Sequence, residues 1–193
     1  MGSVLSKAVR DKIKETVFKK ADEFGYMQCD RPQSGRFMND LIDDPEVGRV
    51  LIEYMPKESV RTYIKDGILN AYTKAVNKKA LAASTPEQTI KDVYHETASV
   101  IYEGKNKQSG LFVLRSKTGV IYVVSGGTVL KWETALRKAL DVIAMFPRFT
   151  VGGQPPHICL KLSSGTGTIT EADKEHILKA VGAVGVKAVF CAT

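Results

Sequence analysis

The C-terminal part of the chain alternates between strand patterns and helix patterns, and this order restricts the fold more than any other feature. Leu111–Arg115 and Val120–Val124 are apolar, β-branched and aromatic runs around a Lys117-Thr118-Gly119 turn, which predicts a β-hairpin. The segments that follow read as helix, strand, helix and strand: Val129–Ile143, His157–Leu162, Glu171–Val184 and Val186–Cys191. Strands joined through helices need crossover connections, so we expect a mixed sheet that is partly parallel.

The N-terminal part of the chain shows only helical patterns. Apolar residues recur every four positions over 4–24 and again from Val60 to Val76. We therefore expect an α+β protein in which a helical N-terminal half is packed on a small mixed β-sheet with crossover helices, in the order hairpin-α-β-α-β. Charge and pattern both change near Ala82-Ala83-Ser84, which predicts a helical region, 1–83, and an α/β region, 84–193. The boundary is short, so the two regions are expected to pack as one compact unit.

Local signals predict several helix ends. Thr85-Pro86-Glu87-Gln88 has the form of a capping box with proline in the first turn, and Asp44-Pro45-Glu46 predicts the start of another helix that runs to about Met55. Residues 30–35 contain proline and glycine and are predicted to be a loop, followed by a short helix at Phe37–Ile42. Ser99–Lys105 fits either the last turns of a helix or a strand.

The charge is unevenly distributed along the chain. The net charge is +7, and residues 57–138 alone carry 14 basic and 7 acidic side chains, whereas residues 22–53 carry 3 basic and 8 acidic ones. A localised surplus is typical of a surface that binds nucleic acid or another polyanion, although a solvated surface has the same composition. Nucleic-acid binding is the favoured function, and the predicted contact residues are Arg61, Lys65, Lys74, Lys78, Lys79, Lys107, Arg115 and Lys117.

Two segments rich in glycine and hydroxyl residues follow predicted strands. Glycines let backbone amides converge on an anion, and a helix N-terminus adds unpaired N–H groups. If the strands are parallel neighbours, both loops lie beyond their carboxyl ends, where open α/β sheets hold ligands. The same residues are also ordinary helix caps. The predicted phosphate-binding residues are Ser125, Gly126, Gly127, Thr128 and Lys131 in the first loop and Ser163, Ser164, Gly165 and Thr166 in the second.

A third pattern suggests an enzyme. If Ser99–Lys105 is a strand, the order from Pro86 onward is helix, three strands, helix and strand, which resembles the core of PD-(D/E)xK nucleases. Asp92, Glu96, Glu103 and Lys105 supply an acid followed by Glu-x-Lys. The resemblance implies Mg²⁺-dependent nuclease chemistry with Glu96, Glu103 and Lys105 as catalytic residues, and Mg²⁺ is the only cofactor that the sequence suggests. In that family the Glu-x-Lys pair sits on the third strand, which here has no carboxylate. A nucleotide-binding α/β enzyme is the other enzymatic alternative.

The spacing of the cysteine and histidine residues along the chain does not match that of zinc ligands. His157 and Cys159 share a strand face, and Cys191 lies on another predicted strand, but zinc sites need close pairs that are not present. Buried, inert thiols are the expectation for Cys159 and Cys191. Three distant cysteines (Cys29 is the third) make no disulfide framework, which predicts a reducing, cytoplasmic location.

The remaining expectations concern partners. No apolar run reaches the ~18 residues of a membrane span. Met1-Gly2-Ser3-Val4-Leu5-Ser6 fits the myristoylation pattern and precedes a basic helix, so membrane binding is expected only if Gly2 is acylated. A protein–protein scaffold is a further alternative, in which the basic face meets an acidic partner or the acidic segment 22–53 of a second copy as a homo-oligomer.

Overall fold

The computed structural model describes residues 5–106, 109–145, 155–165 and 169–191, which form an α+β fold with a helical N-terminal half and a five-stranded mixed sheet in the C-terminal half. The predicted fold class is therefore confirmed. The described chain divides into two compact units, one that ends at Val76 and one that begins at Asn77. This division lies seven residues before the predicted boundary at residues 83 and 84.

The first unit consists of helices around one apolar core. Its elements are α1 (Lys7–Phe24), α2 (Arg31–Asp43), α3 (Gly48–Ile52), α4 (Lys57–Thr62), a π-helical segment (Tyr63–Leu69) and the first part of α5 (Asn70–Ala82). The predicted stripe of α1 is buried at Ile13, Val17 and Ala21. Tyr72, which the sequence places on the apolar stripe, is buried, and its hydroxyl donates a 2.7 Å hydrogen bond to Asp22.

Two local predictions in this unit are wrong. Residues 31–35 are the first turns of α2 and not a loop, because Asp30 accepts a hydrogen bond from the amide of Gln33 while the Gln33 side chain accepts one from the amide of Asp30. That reciprocal capping box outweighs the glycine and proline composition. The carboxylate of Asp44 instead caps a turn by accepting from the amide of Glu46, and helix α3 begins four residues later, at Gly48.

The second unit contains the sheet. Its elements are the end of α5, then α6 (Pro86–Tyr94), β1 (Ala98–Glu103), β2 (Leu111–Ser116), β3 (Ile121–Thr128), α7 (Trp132–Met145), β4 (His157–Ser163), α8 (Glu171–Gly182) and β5 (Lys187–Cys191). The strands lie in the order of the chain; β1, β2 and β3 are antiparallel neighbours, whereas β3, β4 and β5 are parallel. The predicted hairpin and crossovers are confirmed, and Ser99–Glu103 belongs to a strand.

Helices cover both faces of the sheet. On one face α7 and α8 bury Ile158, Leu160 and Leu162 of β4 together with apolar residues of β2 and β3. On the other face α6 packs against a smaller cluster that includes Cys159. Because side chains alternate along a strand, β4 is buried on both faces, as is typical of a central parallel strand.

The segment 125–128 is the end of β3 and not a loop, so the predicted position of the first anion loop is wrong. Its residues continue the parallel ladder with β4 as far as Thr128. The glycines allow close packing at this point. A Cβ atom on Gly127 would lie 2.9 Å from the Cβ atom of Ala135 in α7, and one on Gly126 would lie 3.2 Å from the carbonyl oxygen of Gly110.

Candidate functional site

The acidic residues of the nuclease-like pattern do not converge. Glu96 precedes β1 and Glu103 is its last residue, and the strand alone separates its two ends by roughly 17 Å. A divalent cation binds oxygens at about 2–2.6 Å, so these two carboxylates cannot share one Mg²⁺. Asp92 lies on α6, where it accepts a 2.6 Å hydrogen bond from Gln88, and Lys105 is exposed after β1. Among the described residues no group of three or more His, Cys, Asp or Glu side chains could hold a metal ion.

One serine hydroxyl in each predicted phosphate loop is bonded to the protein itself. Ser125 is fully buried, and its Oγ donates to the carbonyl of Ala135 at 2.8 Å. Ser163 is also buried, and its Oγ donates to the carbonyl of Gly127 at 3.3 Å. Both side chains therefore stabilise the packing between neighbouring elements of the second unit. Lys131, which follows β3, is exposed.

The second predicted phosphate loop borders a small cavity near the carboxyl ends of the parallel strands. The amide of Gly165 donates to the side chain of Asn77 at 3.1 Å, so this amide is not free for an anion, and Thr166 lies outside the described residues. A cavity of about 200 Å³ is lined by Ser164 and Lys174 together with apolar side chains and Cys191. The Lys174 ammonium is already paired with Glu171 at 2.7 Å. Phosphate binding at these loops stays a prediction.

The predicted nucleic-acid contacts are exposed cations. Lys107 lies outside the described residues, and the other seven are exposed: Arg61, Lys65 and Lys74 in the first unit and Lys78, Lys79, Arg115 and Lys117 in the second. Within the described chain none of the seven forms an ion pair. Arg61 donates a 2.9 Å hydrogen bond to Asn39, a neutral partner.

Within the second unit four cations of segment 57–138 lie near the ends of strands. Arg115 pairs with Ile121, the first residue of β3, and Lys117 is in the adjoining turn. Lys105 follows the end of β1, and Lys131 follows the end of β3, which is the opposite end of the sheet. Arg115 and Lys117 thus lie at the opposite end of the sheet from Lys105 and Lys131, and the single basic face stays a prediction.

One buried cation stands apart from all of these. Lys161 lies on β4, between Gly126 on β3 and Val189 on β5, and only 5% of the residue is exposed. Because β4 alternates, Lys161 points to the same face as Cys159 and opposite to Leu160 and Leu162.

The Lys161 ammonium lies at the end of helix α5. Its Nζ atom donates to the carbonyl oxygens of Leu81, in the last turn of the helix, and of Ser84, the latter at 2.6 Å. The last carbonyls of a helix have no partner within the helix and carry partial negative charge, so the lysine satisfies them and caps the helix. No Asp or Glu of the described chain forms an ion pair with Lys161.

A cavity of about 320 Å³ opens beside Lys161, and we refer to it as the Lys161 cavity. Its polar lining is Lys161, Ser84, Thr89, Asp92 and Cys191, and its apolar lining is Ala80, Ala83, Val93, Val189 and Phe190. The volume is at the lower end of the range for small-molecule sites, and a mainly apolar wall with a few convergent polar groups is typical of them.

Burial shifts the pKa values of Lys161 and of the two cysteines near it. Loss of hydration lowers the pKa of Lys161 below its usual value, against the opposing effect of the thiols of Cys191 and Cys159. Burial raises the pKa of Cys191 and raises that of Cys159 to about 12. Both thiols therefore stay protonated at neutral pH, in agreement with the expectation of inert cysteines.

Sequence reasoning overlooked Lys161. The sequence contains one indication of its burial: Lys161 is the only lysine or arginine in the apolar run His157–Leu162. A central strand of a parallel sheet is buried on both faces. A lysine there has to be buried unless the strand is at an edge. The position of β4 between β3 and β5 was the missing fact, because it depends on pairing between residues distant in the chain.

The first unit contains an acidic cavity of about 290 Å³. Glu23, Asp40 and Asp44 line it beside the stacked rings of Phe24 and Phe37. Asp44 pairs with Lys20 at 2.8 Å. Arg31 and Arg36 are exposed on α2 and form no ion pair within the described chain.

Comparison with known proteins gives no further assignment. The chain matches no protein-family model, no curated protein and no solved structure. None of the described helices combines the length and the apolar character needed to cross a membrane. The myristoylation pattern cannot be compared with the structure, because residues 1–4 lie outside the described chain. Any function has to follow from the chemistry of the residues themselves.

Proposed function

We propose that this protein binds nucleic acid through exposed cations of segment 57–138. The observation that carries the proposal is that these cations are exposed and have no carboxylate partner in the described chain, although the segment also contains acids. An unpaired lysine can bind a phosphate without first breaking an ion pair, and each such contact releases counterions from the nucleic acid.

The ion pairs that the structure does contain lie elsewhere. Three of them are formed by lysines with acids three or four residues away on the same helix: Lys19 with Glu23, Lys174 with Glu171, and Lys179 with Glu175. The fourth joins Lys20 to Asp44. Lys19, Lys174 and Lys179 thus have carboxylate partners that Lys78, Lys79 and Lys117 do not have within the described chain, which provides a matched control.

The experiment compares two triple variants of the full chain. One replaces Lys78, Lys79 and Lys117 with glutamine, and the other replaces the paired lysines Lys19, Lys174 and Lys179. Both variants lose three positive charges, so a general effect of net charge is the same in each. Affinity for labelled duplex DNA and single-stranded RNA is measured by fluorescence anisotropy in low salt.

We expect the first triple to weaken binding by at least roughly tenfold and the control triple to weaken it only slightly, because phosphate contacts dominate such affinities. Equal losses in the two variants would show that only the net charge matters. A wild-type protein that does not bind either nucleic acid in low salt would contradict the proposal directly.

A further inference from the structure

The nitrogen of Lys161 has one bonding position for which the described residues provide no hydrogen-bond partner. An sp³ nitrogen has four tetrahedral positions, of which one is the bond to Cε and two are N–H groups donated to Leu81 and Ser84. The fourth position is a third N–H in the ammonium form and a lone pair in the amine form. Because Lys161 lines the cavity, a molecule inside it is the available partner for that position.

Among the described residues no carboxylate forms an ion pair that would stabilise a positive charge on Lys161. Burial of an ammonium without a carboxylate partner is costly, and within the described chain only the two carbonyl groups compensate for the lost water. The amine form satisfies the same two carbonyl groups with its two N–H bonds and leaves no buried charge. It would keep the helix cap and present its lone pair.

We propose that Lys161 is a carbonyl-reactive lysine that forms an imine with a small apolar aldehyde or ketone bound in the Lys161 cavity. The cavity volume of about 320 Å³ limits the ligand to a small molecule, and the side chains of Ala80, Val93, Val189 and Phe190 favour an apolar body. This inference does not depend on nucleic-acid binding, since it uses other residues.

The protonation of the neighbouring groups supports this chemistry. The lowered pKa of Lys161 increases the fraction of amine, which is the nucleophilic form. The raised pKa of Cys191 keeps its thiol protonated, so the thiol does not compete for the carbonyl carbon. Asp92 on α6 is the acid that lines the cavity, and Cys159 lies two residues before Lys161 on the same strand.

The reaction is balanced without an oxidant or a further reactant. The lone pair of Nζ attacks the carbonyl carbon, the N–C bond forms, and the carbonyl π electrons move to oxygen, which takes up one of the two hydrogens of the amine. The resulting carbinolamine loses its hydroxyl group together with the second nitrogen-bound hydrogen as water while the C=N bond forms, so the imine nitrogen no longer donates to Leu81 and Ser84. The hydroxyls of Ser84 and Thr89 and the thiol of Cys191 line the cavity where these protons move.

The test is reductive trapping on the full chain. Benzaldehyde is the probe, sodium cyanoborohydride at neutral pH reduces any imine, and peptide mapping by mass spectrometry gives the modified fraction of each lysine. We expect Lys161 to be modified severalfold faster than the exposed lysines Lys78 and Lys79. A rate at Lys161 no higher than at these two would overturn the proposal and leave Lys161 as a helix cap only.

Two further variants separate the cavity from the cap. Val189→Phe fills the cavity while keeping Lys161, and Val184→Phe is its control, because Val184 is exposed after α8. We expect Val189→Phe to lose the preferential modification of Lys161 and Val184→Phe to retain it. Thermal unfolding verifies that each variant is folded. If folded Val189→Phe is modified at Lys161 as fast as the wild type, the cavity is not the binding site and the proposal is wrong.

Discussion

Two helical glycines of the first unit show how much a single Cβ atom can matter. A Cβ atom on Gly48, the first residue of α3, would collide with the backbone carbonyl of Ile42, whereas one on Gly35 in α2 would meet no atom within 4 Å. Only backbone movement can relieve the first collision. The second site has the space and the helical conformation that alanine prefers.

Gly48→Ala is therefore expected to lower the free energy of unfolding by roughly 1–3 kcal/mol or more, the usual cost of overpacking. Gly35→Ala is expected to raise it by about 0.5–1 kcal/mol, because alanine loses less conformational freedom in a helix interior than glycine does. Urea unfolding measures both changes. If the free energy of unfolding changed in the same direction in both variants, this account of the packing would be contradicted.

The ion pair between Lys20 and Asp44 predicts a pH dependence. Burial raises the pKa of Asp44, but hydrogen bonds from Lys20 and from the amides of Glu46 and Val47 outweigh burial and hold the pKa below its usual 3.8. The hydrogen bond and charge of Asp44 raise the pKa of Lys20 above 10.5. The Asp44 contribution is present above pH 3.8 and is lost as the pH falls through its lower folded pKa, while the Lys20 contribution is lost only as the pH rises past 10.5.

Asp44→Asn is accordingly expected to cost about 1 kcal/mol at neutral pH and to lose its effect in strongly acidic solution. Urea unfolding of both proteins at several pH values measures the difference. Glu23→Gln is the control, because Glu23 and Lys19 are 3.9 Å apart and mostly exposed. A cost of Asp44→Asn that stays constant down to pH 2 would show that the carboxylate does not contribute through its charge.

At the scale of elements, the π-helical segment Tyr63–Leu69 helps to keep one stripe of apolar residues against the core of the first unit. Val60, Ile64, Ile68 and Tyr72 are each four apart, and in an α-helix such a stripe advances by about 40° at every step. A π-helix has wider turns, which partly cancels this drift. Val60, Ile64, Ile68 and Tyr72 are all buried in the same core.

Because a π-helical segment accommodates an extra residue, deletion of Gly67 should convert it to regular α-helix while keeping the flanking helices in phase. We expect a loss of less than roughly 1 kcal/mol in the free energy of unfolding, a small effect for a deletion. Deletion of Glu15, exposed in the regular helix α1, should rotate Val17 and Ala21 out of the core and cost roughly 3 kcal/mol or more. Equal costs in urea unfolding would refute this explanation of the segment.

The sequence predicts those elements that depend on local patterns. The hairpin and the alternating helices and strands were predictable because alternation and turn residues are local, and the helix start at Thr85 was predictable because its hydroxyl accepts from the amide of Gln88. The π-helical segment and the end of β3 were not. Their conformations depend on a distant core and on pairing with β4.

The candidate site shows the same limit. The exposed state of Arg115 and Lys117 was foreseeable, since charged side chains are rarely buried without partners. Lys161 was not foreseen, because three separate elements create its environment: the end of α5, the neighbouring strands, and Cys191 at the end of the described chain. Local composition carries no information about such an assembly.

At the scale of the whole molecule, the basic character is spread over both units. The cations of segment 57–138 include residues before Val76 and residues after it. In the second unit Arg115 and Lys117 lie at one end of the sheet, and Lys105 and Lys131 lie at the other. Electrostatic binding does not need one compact patch, since nucleic acid presents charge along its whole length. If phosphate contacts are spread over both units, each contact should add a separate increment to the slope of log affinity against log salt concentration.

The last prediction concerns the size of those increments. On duplex DNA each phosphate contact contributes about 0.9 to the slope of log affinity against log salt. Replacing Lys78, Lys79 and Lys117 with glutamine should reduce the magnitude of the slope by up to about 2.7. The control triple at Lys19, Lys174 and Lys179 should reduce it less, because each of those lysines lies beside a carboxylate that repels phosphate: Glu23, Glu171 or Glu175. Titrations at several salt concentrations measure both slopes. If the two triples reduce the slope equally, the contacts do not lie in segment 57–138, even where the wild type binds tightly.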